Sequence, residues 1–368
     1  MWNLHACLLV DWLGPRQHAG WSVRRFGERM RRSDAKSPAG TDRRAAPTVT
    51  IGVLAAVFAL LGGEVLAQTD AITLRVGHFP NVTHVQALVA RNFERQGRDW
   101  LGASLGRKVK IEWYGYNAGP SAMEAIFANT VDLTYVGPSP AINAYARARG
   151  EEVRVVAGAV NGGSALVVQP DGGLAQASDF RGKRIATPQF GNTQDVAARA
   201  WLVAGGLRIT QTGGDAQVLP TANPDQLALF QRKQVDAVWT VEPWVSRLEQ
   251  EAGGKILVEE KDAVTTVLVS SVRFLASQRE LVRRFVAAHR ELTEWIKKNP
   301  DEAQRMLRDE LRATFRADMS SELVARAWGR MTVTGDISLA ACQSFVTMAQ
   351  QVGFLRTAPD IARLIETP

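Results

Sequence analysis

The sequence predicts an α/β protein built as two similar lobes. Three observations carry this. From residue 72 onward, strand-like and helix-like segments alternate. The length, 368 residues, suits about two domains, each with its own core. There is also a weak internal echo: a helical segment, Val131-Asp132, an apolar strand and Pro138 match a helical segment, Val235-Asp236, an apolar strand and Pro243.

The alternation is read in chain order. "ITLRVGHF" is a strand, "HVQALVARNFERQG" a helix, "KVKIEWYGY" a strand, "SAMEAIFAN" a helix, "VDLTYVG" a strand, "PAINAYARARG" a helix and "VRVVAGAV" a strand. The β-α-β-α order argues for a largely parallel sheet with helices on its faces. A second unit follows, with strands "SALVVQP", "RIATPQ", "DAQVLP" and "VDAVWTV" and helices "DVAARAWLVAGG" and "PDQLALFQRKQ". "TTVLVSSVRFL" reads as one long β-branched strand, and the chain beyond it is almost wholly helical. The expected organisation is therefore a first lobe in 68–163, a second in 164–268, and 269–368 completing the first lobe, mainly as helices. Two crossing strands, near Gly163–Val168 and Thr265–Ser270, are expected to form a hinge.

Residues 1–67 read as a secretory signal peptide. Arg43 and Arg44 precede a short apolar run, Ile51 to Leu61, and Val65-Leu66-Ala67 offers small or apolar residues at the cut site. Met30 is a second candidate start. The run is short for a membrane anchor, the alternative. Residue 68 is Gln rather than Cys, so cleavage exposes no lipidation site, and a bacterial periplasm is the expected location. Only Cys7 and Cys342 exist. The mature chain then has no internal disulfide, and Cys342, in "SLAACQSFVTMAQQ", reads as a buried structural thiol.

At 46% hydrophobic and 22% charged the chain is globular. The formal charge of +7 resides largely in the leader, which holds nine Lys/Arg and five Asp/Glu; the remainder has 35 basic and 32 acidic groups. No basic run with interleaved aromatics stands out there, so nucleic acid is not an expected partner. No Cys/His cluster has metal spacing, and there is no P-loop, dinucleotide fingerprint or G-x-S-x-G elbow. No cofactor or metal is expected.

Four strand-to-helix joints share one chemistry: Pro80-Asn81-Val82-Thr83-His84, Asn117-Ala118-Gly119-Pro120-Ser121, Gly137-Pro138-Ser139-Pro140 and Gly191-Asn192-Thr193-Gln194. Each places a hydroxyl or amide where a helix begins, as a cap does. Ser121 with Glu124 three residues on has the capping-box pattern. Singly, capping accounts for each joint. Together, such joints gather at the carboxyl ends of strands in an open α/β sheet, where helix N-termini hold anions without Lys or Arg. "WTVEPWV" adds Glu242, read either as a partner for a ligand ammonium or hydroxyl, or as a helix cap or partner of an Arg. Trp239 and Trp244 are candidates to close over an aliphatic chain or to pack, and His78 and His84 flank the first joint.

These segments resemble a known family. "LRVGHFPNVTHVQALVA", "GPSAMEAIFANTVDLTYVGPSPAINAYARARG", "RIATPQFGNTQDVAARAWL", "VDAVWTVEPWVSRLEQEAGG" and "FVAAHRELTEWIKKNPDEA" are similar, in order and spacing, to periplasmic solute-binding proteins of ABC importers, of the sulfonate, nitrate and taurine type. The resemblance runs from about Ile72 to Leu355. It implies a two-lobed, type II-like periplasmic binding protein that closes on a small anion or zwitterion, an aliphatic sulfonate first, and docks as a monomer on a membrane permease. It implies ligand contacts at Pro80, Asn81, His84, Gly119, Ser121, Gly137, Ser139, Asn192, Thr193, Gln194 and Glu242. The competing reading is an enzyme on the same fold, a sulfinate desulfinase or cofactor-biosynthesis type. A desulfinase of that kind uses a cleft Cys, and the sole mature Cys lies in a late helix.

Overall fold

A computed structural model describes residues 72–368 apart from residue 107. The expected signal peptide lies outside the described residues. Two sheets organise the rest, both within one compact unit, Ala67–Pro368. The first lobe holds β1 (Ile72–His78), β2 (Val109–Gly115), β3 (Leu133–Val136), β4 (Val153–Gly162), β10 (Val264–Ser271) and β11 (Met331–Val333), in the order β11-β4-β10-β3-β1-β2. The second holds β5 (Ser164–Val168), β6 (Arg184–Thr187), β7 (Gln217–Pro220), β8 (Ala237–Val241) and β9 (Lys255–Glu260), in the order β7-β6-β8-β5-β9.

The lobes share a plan. Three parallel strands stand side by side in each, β2-β1-β3 and β7-β6-β8. An antiparallel strand that has just crossed from the other lobe follows: β10 beside β3, and β5 beside β8. The expected largely parallel first sheet is therefore mixed. Its local strands are parallel, but β10 arrives from the second lobe running the other way and inserts between β3 and β4. The Val-Asp echo has a structural cause. Asp132, just before β3, accepts the backbone N–H of Arg75 on β1 at 2.9 Å, and Asp236, just before β8, accepts that of Arg184 on β6 at 2.8 Å. Each carboxylate ties a neighbouring strand into register.

Two crossings join the lobes, Gly162-Gly163 where β4 passes into β5 and residues 261–263 between β9 and β10. Both glycines take left-handed φ, +72° and +71°, which costs a Cβ-bearing residue but not Gly. The crossing points thus lie just ahead of the strands the sequence suggested. Where one long strand was expected after Thr265, β10 stops at Ser271. Its side chain accepts the N–H of Phe274 at 3.2 Å and starts a short helix, Val272–Ser277.

Part of the C-terminal helical segment packs on the first sheet. The helix Arg279–Lys298 carries a buried stripe, Leu281, Val282, Phe285, Val286, Leu292 and Ile296, with helical spacing. That stripe shares one core with Leu88, Val89 and Phe93 of the helix Val85–Arg95 and with β1 and β4. Among the described residues no helix is long and apolar enough to cross a membrane.

Candidate anion-binding cleft between the lobes

All six parallel strands end at one partly open cavity of about 30 Å³. After β1 it is lined by Phe79, Asn81, Thr83 and His84; after β2 by Asn117, Ala118 and Gly119; after β3 by Gly137 and Pro140. The second lobe adds Pro188, Asn192, Thr193 and Gln194 after β6, Asn223 after β7, and Val241 of β8. Thr265 and Thr266 come from the crossing strand β10. The volume is on the order of one or two water-sized centres.

Four helices start at this cavity: Gly119–Phe127, Pro138–Arg147, Thr193–Ala204 and Asn223–Gln231. Only the third has a side-chain cap, Asn192 accepting the Asp195 N–H at 2.9 Å. The other three leave their first-turn N–H groups without one, and the positive ends of their dipoles converge there. Pro138 and Pro140 remove two donors that a helix start would otherwise leave orphaned. They also stiffen the corner between β3 and its helix.

Two of the lining amides are turned to donate. The Asn81 carbonyl oxygen is occupied by Trp244 Nε1 at 3.1 Å, and that of Asn223 by the Thr240 hydroxyl at 3.3 Å, so each amide keeps its N–H₂ for the cavity. The hydroxyls of Thr193 and Thr266 are buried without a protein partner. No Lys, Arg, Asp or Glu lines the space. His84 is its one titratable group, and burial holds the ring well below the usual imidazole range, hence neutral. Such a site suits a small oxyanion held by neutral donors and helix ends.

The candidate residues fall into two groups. Asn81, His84, Gly119, Gly137, Asn192, Thr193 and Gln194 line the cavity; Pro80, Ser121, Ser139 and Glu242 do not. Ser121 is no capping-box serine: its helix begins at Gly119 after Ala118, and the Ser121 hydroxyl exchanges hydrogen bonds with Gln189 of the second lobe at 2.9 and 3.2 Å. Ser139 sits behind the lining, buried, its hydroxyl unpartnered. Glu242 is fully buried; its carboxylate accepts from the Ser246 N–H and hydroxyl and from Arg330 at 2.9 Å. Burial raises its pKa and these partners oppose the rise. Trp239 is buried, donating to Ser164 and Glu260.

Sequence reasoning missed Asn223, Thr265 and Thr266. A fifth joint, "PTANPDQ", carried the signal for Asn223. Nothing local marks the two threonines, whose place depends on a strand crossing from the other lobe. Among the described residues no group of three or more His, Cys, Asp or Glu is placed to hold a metal.

Residues 67–308 match the profile of the NMT1-like family. A protein of Bacillus subtilis (strain 168), named for binding aliphatic sulfonates, is 25% identical over 207 residues, 55% of this chain and 60% of its own length. The chain thus aligns with less than two thirds of that relative. Among solved structures, the alkanesulfonate-binding protein SsuA of Xanthomonas axonopodis pv. citri, bound to MOPS, superposes with a TM-score of 0.63 at 20% identity. The match covers 80% of this chain and 97% of that one. DSZB in complex with biphenyl-2-sulfinic acid superposes with a TM-score of 0.56 at 15% identity, covering 81% and 97%. The periplasmic-binding-protein fold is shared with these structures.

Proposed function

The chain belongs to the NMT1-like family, and we propose that it is an extracytoplasmic solute-binding protein that captures a small oxyanion and delivers it to an ABC permease. An aliphatic sulfonate is the ligand put first. The observation that carries this reading is the meeting of four helix N-termini, two from each lobe, around one cavity lined by neutral donors. The names of the sulfonate-binding relatives support the ligand class. A monomer is expected to suffice, since both lobes of the cleft come from one chain.

The lining favours an anion over a zwitterion. Glu242, the one carboxylate suggested for a ligand ammonium, is engaged by Arg330 and Ser246. An alkanesulfonate is therefore expected to bind more tightly than taurine. An enzyme of the desulfinase kind, the competing reading, needs a reactive thiol at the site. Cys342 does not line the cavity, and burial pushes its thiol up to about 11.

A thermal-shift screen over methanesulfonate, longer alkanesulfonates, taurine, sulfate, nitrate and bicarbonate tests the proposal. A true ligand raises the melting temperature by mass action. A rise for at least one of these oxyanions, with no product formed, is the expected result. A flat response across the panel, or turnover of a sulfonate or sulfinate, contradicts it.

A further inference from the structure

The polarity of His84 is set by its neighbours. Its Nδ1 lies 3.3 Å from the backbone nitrogen of Phe79, whose N–H points at it. An amide N–H only donates, so Nδ1 accepts, and the hydrogen of the neutral ring resides on Nε2. Nε2 has no protein partner among the described residues, and His84 lines the cavity. The Phe79 ring also lies against the imidazole, with centroids 4.3 Å apart.

Phe79 is in turn gripped from its other side. Arg91 Nη1 stands 2.7 Å from His78 Nε2. A guanidinium has no acceptor, so Nε2 of His78 accepts, and this buried, neutral ring carries its hydrogen on Nδ1. That Nδ1 faces the Phe79 carbonyl at 3.3 Å. Arg91 is itself fixed by Glu310 at 3.0 Å and Thr314 at 3.2 Å. The two imidazoles thus carry opposite tautomers on either side of one residue.

We propose that His78, oriented by Arg91, is a positioning residue that holds Phe79 and through it keeps His84 as a fixed N–H donor to the cleft. The cleft then selects ligands that present an oxyanion oxygen at Nε2 and rejects those that present an ammonium. Reversing the tautomer would leave the Phe79 N–H buried and unpaired, so the ring does not adapt to a cation. The inference rests on the solute-binding reading of the same cavity and adds a recognition polarity to it.

The test is a long-range ¹H–¹⁵N spectrum of the histidine rings in the ligand-free protein, with methanesulfonate titrated into wild type and variants. Expected are a protonated Nε2 on His84 and a protonated Nδ1 on His78. His84→Gln, whose amide nitrogen stands near the Nε2 position, should keep the methanesulfonate affinity within about fivefold, whereas His84→Leu should lose about 30-fold. His78→Asn, which restores a donor near Nδ1, should leave the His84 ring signature unchanged, and His78→Leu should mix its tautomers. A His84 hydrogen on Nδ1, or a His78→Leu protein with unaltered His84 signature and affinity, overturns the inference. The wild-type ligand-free spectrum decides the tautomer even if a leucine variant fails to fold. If methanesulfonate and every other panel oxyanion fail to bind, the function reading falls, and the spectrum still decides the ring polarity.

Discussion

Gly137 in the first lobe and Thr193 in the second approach so closely that a Cβ on Gly137 would strike the Thr193 hydroxyl. Glycine is required there because the two lobes meet at that point, at the wall of the cavity. Gly137→Ala should therefore hold the lobes apart. An added methyl in a packed contact costs about 1–3 kcal/mol, so oxyanion affinity should fall about fivefold or more. The urea midpoint of the ligand-free protein should change little. Unchanged affinity in a calorimetric titration would show that the lobes need not close this far.

Arg330 links the hinge to the second lobe. Its backbone carbonyl accepts the Gly163 N–H at 2.8 Å, while its guanidinium reaches Glu242 at 2.9 Å and Glu249 at 2.5 Å. Glu242 is fully buried, so Arg330→Leu strands a carboxylate without its cation. A loss of about 3 kcal/mol in urea-unfolding stability is expected. A double variant with Glu242→Gln should recover part of that loss, and an additive double variant would refute the coupling.

Ser139 offers the opposite case. Its hydroxyl is buried without a partner, so Ser139→Ala removes no hydrogen bond from the free protein. Stability should stay within about 0.5 kcal/mol or rise slightly. A fall above about 1 kcal/mol in chemical denaturation would mean the hydroxyl is structurally satisfied.

Three buried histidines should make the protein acid-sensitive. Burial lowers His78 to about 3 and His289 to about 4, and holds His84 well below its usual value. In each case the folded ring stays neutral while the unfolded ring binds a proton below about 6.5. The unfolded state then carries more protons, so stability is full above pH ~6.5 and falls as pH drops toward the folded values. Each ring contributes up to about 1.4 kcal/mol per pH unit. Glu242 and Glu260, raised by burial, have the opposite sign and return part of this near the carboxylate range. Calorimetric unfolding of the Glu242→Gln/Glu260→Gln double variant near pH 5.5, in buffers of different ionisation enthalpy, should register an uptake of about two protons or more. An uptake near zero contradicts the neutral assignment.

Glu260 gives a further pH test. It accepts from Ser164 at 2.5 Å and Trp239 at 3.2 Å, and burial raises its pKa. A raised acid favours the fold below its unfolded pKa and loses that contribution as pH rises through the folded value. Glu260→Gln should thus melt higher than wild type at pH 8 and show little difference at pH 4. The reverse order would mean that the ionised carboxylate is favoured.

The parallel half of each sheet was legible because every β-α-β unit is local in the sequence. The insertion of β10 between β3 and β4 was not, since its partners lie more than 100 residues away. The same division holds at the cavity. Asn81, Gly137 and Thr193 sit at strand ends that local pattern marks as corners. Glu242 also follows a strand, but its environment is decided by Arg330, 88 residues on. Thr265 and Thr266 carry no local sign at all. They reach the cavity because the chain returns through the hinge.

Small-angle scattering, with and without the panel oxyanion that most raises the melting temperature, addresses the two-lobed capture of an anion most directly. The account predicts a radius of gyration that falls on saturation. A radius unchanged at saturating ligand, with binding confirmed in the same sample, would contradict it.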